Sequence, residues 1–202
     1  MKDTYQMITA PSEGFFKDRG SKFFAFAYPV HTEEEIKSCQ DELRKKYYDA
    51  RHHCYAFVLG AHQQAFRASD DGEPKHSAGD PILGQIRSFD LTNVLVVVVR
   101  YFGGTKLGVS GLINAYKTAA AEALEAAKVE EKLMTQNISI QFEYDQMNLV
   151  MKMIKDYALE IVTQEQAMNC TMTLAIRNKL FEEVATTFGK MHPLKVLEGG
   201  VE

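Results

Sequence analysis

Hydrophobic and polar positions along this chain fall into three patterns: an unbroken apolar run, strict alternation, and recurrence at helical spacing. The unbroken run is Val94 to Val99, inside VLVVVVRY at 94–101. A β-branched run without alternation predicts a central strand buried on both faces. Upstream, Phe15-Phe16 and the stretch Phe23 to Ala27 flank the turn Asp18-Arg19-Gly20-Ser21, which reads as two strands around a turn. HCYAFVL at 53–59 reads as a buried strand, and QAFRAS at 64–69 as its partner. Helical spacing appears at Ile36, Leu43 and Tyr47, with Thr32 and Glu35 as a capping box. A second helix is predicted to open at Pro81, with Asp80 as its cap, and to run to about Phe89. A long third one carries Val109, Leu112, Ile113, Tyr116, Ala119, Ala120, Ala123, Leu124 and Ala127 on a 3.6 period.

The segment KVEEK at 128–132 is charged and lacks core residues, so a domain boundary is placed there, giving residues 1–130 and 131–202. Beyond it the pattern repeats. Ile138, Ile140 and Phe142 alternate; Asp145 is the predicted cap of a helix bearing Val150, Met153, Ile154 and Tyr157; a strand follows near 159–163. Then Cys170, Met172, Leu174 and Ile176 alternate, a helix carries Leu180, Phe181, Val184 and Phe188, Gly189 ends it, and 194–197 closes the unit. Strand-helix-strand twice over is the βαββαβ pattern of ferredoxin-like domains. Its alternating strands imply one sheet face under helices and one freer face. The fold class is therefore α+β, an N-terminal α/β domain followed by a ferredoxin-like one.

Composition narrows the function classes. The chain has 202 residues, 46% of them hydrophobic and 25% charged, with a net charge of −4. That is an ordinary balance for a globular protein, and it supplies no global basic field for a polyanion. Nucleic-acid binding would need a local patch, and no DNA-specific signal is present. Charge is nearly balanced up to residue 130 and more acidic after it, so such a patch is expected in the first domain. The run Val94 to Val99 is far shorter than the roughly 20 residues that span a bilayer, and the first residues lack the apolar stretch of a signal peptide. Cys39, Cys54 and Cys170 form no CxxC pair, which supports neither a disulfide framework nor a zinc knuckle. A cytoplasmic location is expected.

The strongest chemical feature is RYFGGTKLGVSG, Arg100 to Gly111, a glycine-rich turn between the central strand and the long helix. Glycines allow sharp turning and close approach of main-chain N–H groups, and a helix N-terminus adds partial positive charge. An anion or nucleic-acid site follows, with Gly103, Gly104, Gly108, Ser110 and Gly111 in the turn and Arg67, Arg100 and Lys106 supplying charge. The GxxxxGK[ST] order of a Walker A loop is missing. The alternative is that the glycines only permit close helix–strand packing. In RASDDGEPKH, the side chains of Asp70, Asp71, Glu73 and His76 could hold a metal, do acid–base work or meet a partner. A solvated turn is preferred to a metal. His52-His53-Cys54 reads as strand entry, since neighbouring strand residues face opposite sides. Cys54 as a nucleophile would need a base, and His76 is the one candidate. The basic residues Lys17, Arg19 and Lys22 near Phe15 and Phe16 could stack on bases, or simply flank a hairpin. No cofactor and no metal site is called for.

Two motifs in combination, RASDDGEP…AGDPIL (Arg67 to Leu83) and VVVRYFGGTKLG…GLINAY (Val97 to Tyr116), resemble the IMPACT/YigZ family. RGSKFFAFAYPV and HHCYAFVLG match as well, and the resemblance covers both domains. It implies a first domain of the type shared by a ribosomal protein, a domain of the ribosomal translocase and small-molecule kinases, followed by a ferredoxin-like domain. It also implies nucleic-acid or ribosome binding among bacterial members, and translation regulation through a protein partner among eukaryotic ones. Ser110 and Asn114 stand where the family often has glycine and arginine. The expected function is translation-associated binding or regulation, contacting RNA or the ribosome. A protein-interaction module whose edge is Asp70, Asp71 and Glu73 ranks second. An enzyme acting on a phosphorylated small molecule ranks third.

Overall fold

The computed structural model describes residues 3–200. It divides into two compact units: Tyr5–Lys132, and the residues from Leu133 on together with those up to Thr4. The boundary falls two residues after the one expected, because the charged segment is not a linker. Val129–Leu133 is a strand (β7) that pairs with Thr4–Ile8 (β1). Neither strand carries a clear hydrophobic pattern; each is held by pairing with a segment more than a hundred residues away.

In the first unit, Ser12–Asp18 (β2) and Ser21–Pro29 (β3) form a hairpin whose two turn residues, Arg19 (φ 44°) and Gly20 (φ 81°), are both left-handed. That geometry matches the twist of paired strands. His52–Leu59 (β4), Ala65–Ser69 (β5) and Val94–Tyr101 (β6) complete a five-stranded sheet in the order β2-β3-β6-β4-β5. All four pairings are antiparallel. The helix Glu33–Lys46 (α1) covers one face through Ile36 and Leu43. The helices Gly79–Ser88 (α2) and Gly108–Glu125 (α3) cover the other. The central strand β6 is thus buried on both sides, as its unbroken apolar run requires.

Three local expectations shift in detail. Thr32 caps α1 by accepting from Glu35 N, but Glu35 accepts from His31 N at 2.6 Å rather than closing the box on Thr32. Val109 and Ile113 fit the period of α3 yet stay exposed (54% and 38%); the buried stripe of the helix runs through Leu112, Ala115, Tyr116, Ala119, Ala120, Ala123 and Leu124. Asp80 lies inside α2 instead of capping it.

In the second unit, Thr135–Phe142 (β8), Met147–Asp156 (α4), Glu160–Gln166 (β9), Cys170–Arg177 (β10), Phe181–Gly189 (α5) and Lys195–Gly200 (β11) follow in β-α-β-β-α-β order. The sheet order is β11-β8-β10-β9. Alternation in β8 and β10 buries Ile138, Ile140, Phe142, Cys170, Met172, Leu174 and Ile176 beneath the helices. Glu143, not Asp145, starts the helical segment, its N–H bonding Gln146 Oε1 at 3.3 Å. The other sheet face carries Ser139, Gln141, Thr171 and Thr173, with Ser139 and Thr173 bonded across the strands at 3.0 Å. Its β8 and β10 positions are neutral apart from Arg177 and carry no aromatic ring, so the stacking contacts by which sheets usually read RNA bases are not available there.

Candidate anion-binding site

Two helix N-termini point toward the end of the first unit's sheet where β6 leaves it, and the chain treats them differently. The amides that open α2 are met by one carboxylate. Asp70 Oδ1 accepts from Ala78 N (3.0 Å) and Gly79 N (2.8 Å), and Asp70 Oδ2 accepts from His76 N (2.8 Å). Burial raises the Asp70 pKa, but the amides of Gly79, His76 and Ala78 outweigh it and hold the carboxyl below its ordinary 3.8. The cap expected from Asp80 therefore comes from Asp70, eight and nine residues before the Ala78 and Gly79 amides it meets.

The amides that open α3 meet no such group. Its N-cap is Leu107, no side chain caps it, and no acidic residue lies in its first turn. Gly104 (φ 89°) and Gly108 (φ 74°) are left-handed, with open space where a Cβ would point. Among the described residues, no acceptor is within hydrogen-bonding reach of the main-chain N–H of Gly104, Thr105, Lys106, Gly108, Val109 or Ser110. Lys106 is exposed. Gly103 has a different role. Its N–H donates to the buried Ser21 Oγ at 3.1 Å, and a Cβ there would overlap the backbone of Gly20 and Ser21. The turn is thereby clamped to the β2–β3 hairpin tip while its amides at Gly104, Thr105 and Lys106 have no internal acceptor.

Arg100 does not join this site as a free charge. It is 7% exposed, and its Nη1 lies 2.6 Å from Glu73 Oε1. The same oxygen accepts from Tyr116 Oη on α3 at 2.7 Å, and Cys54 Sγ reaches Tyr116 Oη at 3.3 Å and Asp70 O at 2.9 Å. Burial pushes both the Cys54 thiol and the Tyr116 phenol well above their ordinary values. Cys54 is therefore a thiol bonded to Tyr116 and Asp70, with none of the thiolate character a nucleophile needs. The signal for the pair lay in the sequence: an arginine in a strand buried on both faces demands an internal carboxylate.

Arg67 is elsewhere. It pairs with Phe57, which pairs with Leu95, and six residues of strand, about 20 Å, separate Leu95 from Tyr101. The acidic loop is no exposed edge either. Asp71 Oδ2 accepts from His53 N (2.6 Å), Asp71 Oδ1 pairs with Arg44 (3.2 Å), and Asp71 O lies 2.9 Å from His52 Nδ1. Glu73 is internal, as described. Of the proposed partner-contact residues only His76 is exposed, left-handed at φ 64°, with Nδ1 2.6 Å from Asp80 Oδ2. His53 is buried with both ring nitrogens unpartnered; burial first, and then Arg44, lowers its pKa. No group of three or more metal-ligating side chains occurs among the described residues, and no helix among them is long and apolar enough to cross a membrane.

Residues 19–124 match the Impact N-terminal domain. A Haemophilus influenzae IMPACT family member is 33% identical over 181 residues, 88% of this chain and 88% of that protein. The Escherichia coli IMPACT family member YigZ is 39% identical over 147 residues, 72% of each. A crystal structure of a hypothetical protein superposes with a TM-score of 0.74 at 27% identity, covering 98% of both chains.

Two substitutions test the internal charges. Glu73→Ala strands Arg100 in the interior and should cost about 3–5 kcal/mol in urea unfolding. The double change Glu73→Leu with Arg100→Met should recover most of that loss; no recovery would show that Glu73 acts in some other way. Asp70→Ala should cost about 1–2 kcal/mol at neutral pH. Because the folded Asp70 pKa is depressed, its contribution is present above the unfolded value and lost as pH falls through the lowered one. The gap between wild type and Asp70→Ala should therefore close in acid, below the ordinary 3.8; a gap constant through that range would contradict the assignment.

Proposed function

This chain belongs to the IMPACT family, and on that footing we propose that it is a translation-associated regulatory protein that engages RNA or the ribosome through the glycine turn of its first unit. The observation that carries the reading is the uncapped start of α3 beside Lys106. An amide cluster at the head of an 18-residue helix favours a negative group. At α2 the chain supplies that group itself, as Asp70; at α3 it leaves the place to a partner. Gly104, Lys106, Gly108 and Ser110 form this site, Gly103 clamps it to the β2–β3 hairpin, and Gly111 follows on the helix. The IMPACT resemblance supports translation as the setting and the cytoplasm as the location. The β-α-β-β-α-β order and the sheet order β11-β8-β10-β9 support a ferredoxin-like type for the second unit. The first unit is read as the ribosomal-protein and translocase-domain type.

A second reading, regulation through a protein partner, draws on Val109 and Ile113, the exposed apolar residues on the first turns of α3. The inward-facing Asp70, Asp71 and Glu73 do not favour the acidic loop as that contact.

Phosphate contacts release counterions, so RNA or ribosome affinity should fall as salt rises. Lys106→Ala should reduce the slope of log affinity against log salt by about one unit or less. Absence of binding at low salt, or a flat salt dependence, would reject the reading.

A further inference from the structure

Two grooves meet at Tyr101 and Phe102, immediately before the glycine turn. One is lined by Asp49, Arg51, His52 and Arg100 together with that pair. The other is lined by Gly20, Lys22, Phe24 and Tyr47 together with the same pair. Phe102, the ridge between them, is 58% exposed, yet it does not hang free. The Arg100 guanidinium lies 5.7 Å from its ring centroid and 5.6 Å from that of the buried Phe23. A buried cation thus lies within cation–π distance of both a core ring and a surface ring, which favours this placement of the surface ring. Arg100 Nε is itself buried and has no hydrogen-bond partner, so Glu73 satisfies only part of the guanidinium that lines the groove.

The charge around this ridge is unusual for a structural surface. Lys17 and Lys22 stand directly opposite each other across β2 and β3, and Lys22 stands opposite Tyr101 across β3 and β6. Directly opposed like charges destabilise a strand pair. Among the described residues, no carboxylate lies within ion-pairing distance of Lys17, Lys22, Arg51 or Lys106. Asp49, the acid in the first groove, accepts from Tyr101 Oη at 2.7 Å, which raises the Tyr101 pKa to about 12 and keeps that phenol neutral. Phe24 holds the second groove's floor, edge-on to Tyr101 and stacked with Tyr47, each at 6.0 Å.

An exposed ring held over a cation and rimmed by unpaired basic side chains is the arrangement that binds single strands: a base stacks while its phosphates follow the positive charge. We infer that the Tyr101–Phe102 ridge is a single-stranded RNA site. A base stacks on Phe102, and the flanking phosphates lie toward Lys22 and Arg51 on the two groove sides and toward the glycine-turn amides and Lys106 beyond. This rests on the anion-site reading and narrows it to unpaired strands, since a paired base cannot reach the ring.

The test uses the full chain and three labelled probes of equal length: an oligouridylate, an abasic phosphodiester strand and an RNA duplex, each titrated at low salt. Wild type should prefer oligouridylate to both others. Phe102→Leu should remove that preference, weakening oligouridylate roughly five- to 150-fold, and leave the abasic strand's affinity unchanged. Phe102→Tyr, which keeps a ring, should retain the preference and so separates stacking from any folding defect. Equal wild-type affinity for the abasic strand or the duplex, or an oligouridylate affinity unmoved by Phe102→Leu, would overturn the stacking site while leaving the anion site standing. No binding of any probe would overturn the anion site, and the stacking site with it.

Discussion

One carboxylate oxygen, Glu73 Oε1, organises the first unit. It accepts from Arg100 on the central strand and from Tyr116 on α3, tying the loop after β5 to the sheet and to the long helix. A buried arginine without this partner would carry an uncompensated charge, among the costliest defects an interior can hold. The pair also explains why a cation is tolerated at the end of a strand whose preceding residues, Val94 to Val99, are aliphatic and buried. The Arg100 guanidinium also lies 5.7 Å from the Phe102 ring centroid.

The consequence is a separation of charge within one small unit. Asp70, Asp71 and Glu73 turn inward and satisfy amides, Arg44 and Arg100. Their negative charge is engaged by donors of the same unit, and the surface at the same end of the sheet is left with open amides and unpaired lysines. A chain with net charge −4 can thus present a local positive site without any basic composition. Electrostatics at this scale depends on which side chains face in, which a charge count does not report.

The legible parts of the fold were those whose pattern is local. The run Val94 to Val99, the alternation in 138–142 and 170–176, and the period of α3 each dictate their element because burial on a strand or helix face imposes that spacing. Strands β1 and β7 were not legible: TYQMI and VEEKL carry weak patterns and exist through pairing with each other. The caps show the same divide. Asp80 and Asp145 sit where a local rule would put a cap, but Asp70 and Glu143 do the work, Asp70 by reaching back across the loop. At the site, the glycine turn was visible as a motif. That Arg67 and Arg100 do not serve it depends on register and burial, which only the paired strands reveal. The stacking role inferred for Phe102 rests on Arg100 beneath it, a contact no linear pattern encodes.

If the glycine turn is the anion site, the amides opening α3 await an external anion, while those opening α2 already have an internal one in Asp70. Amide proton–nitrogen shifts, followed as the labelled chain is titrated with a short oligonucleotide, test this directly. The predicted result is movement of Gly104, Lys106, Gly108, Val109 and Ser110, with Ala78 and Gly79 unchanged. Stationary signals at the glycine turn during saturable binding elsewhere on the chain would contradict it.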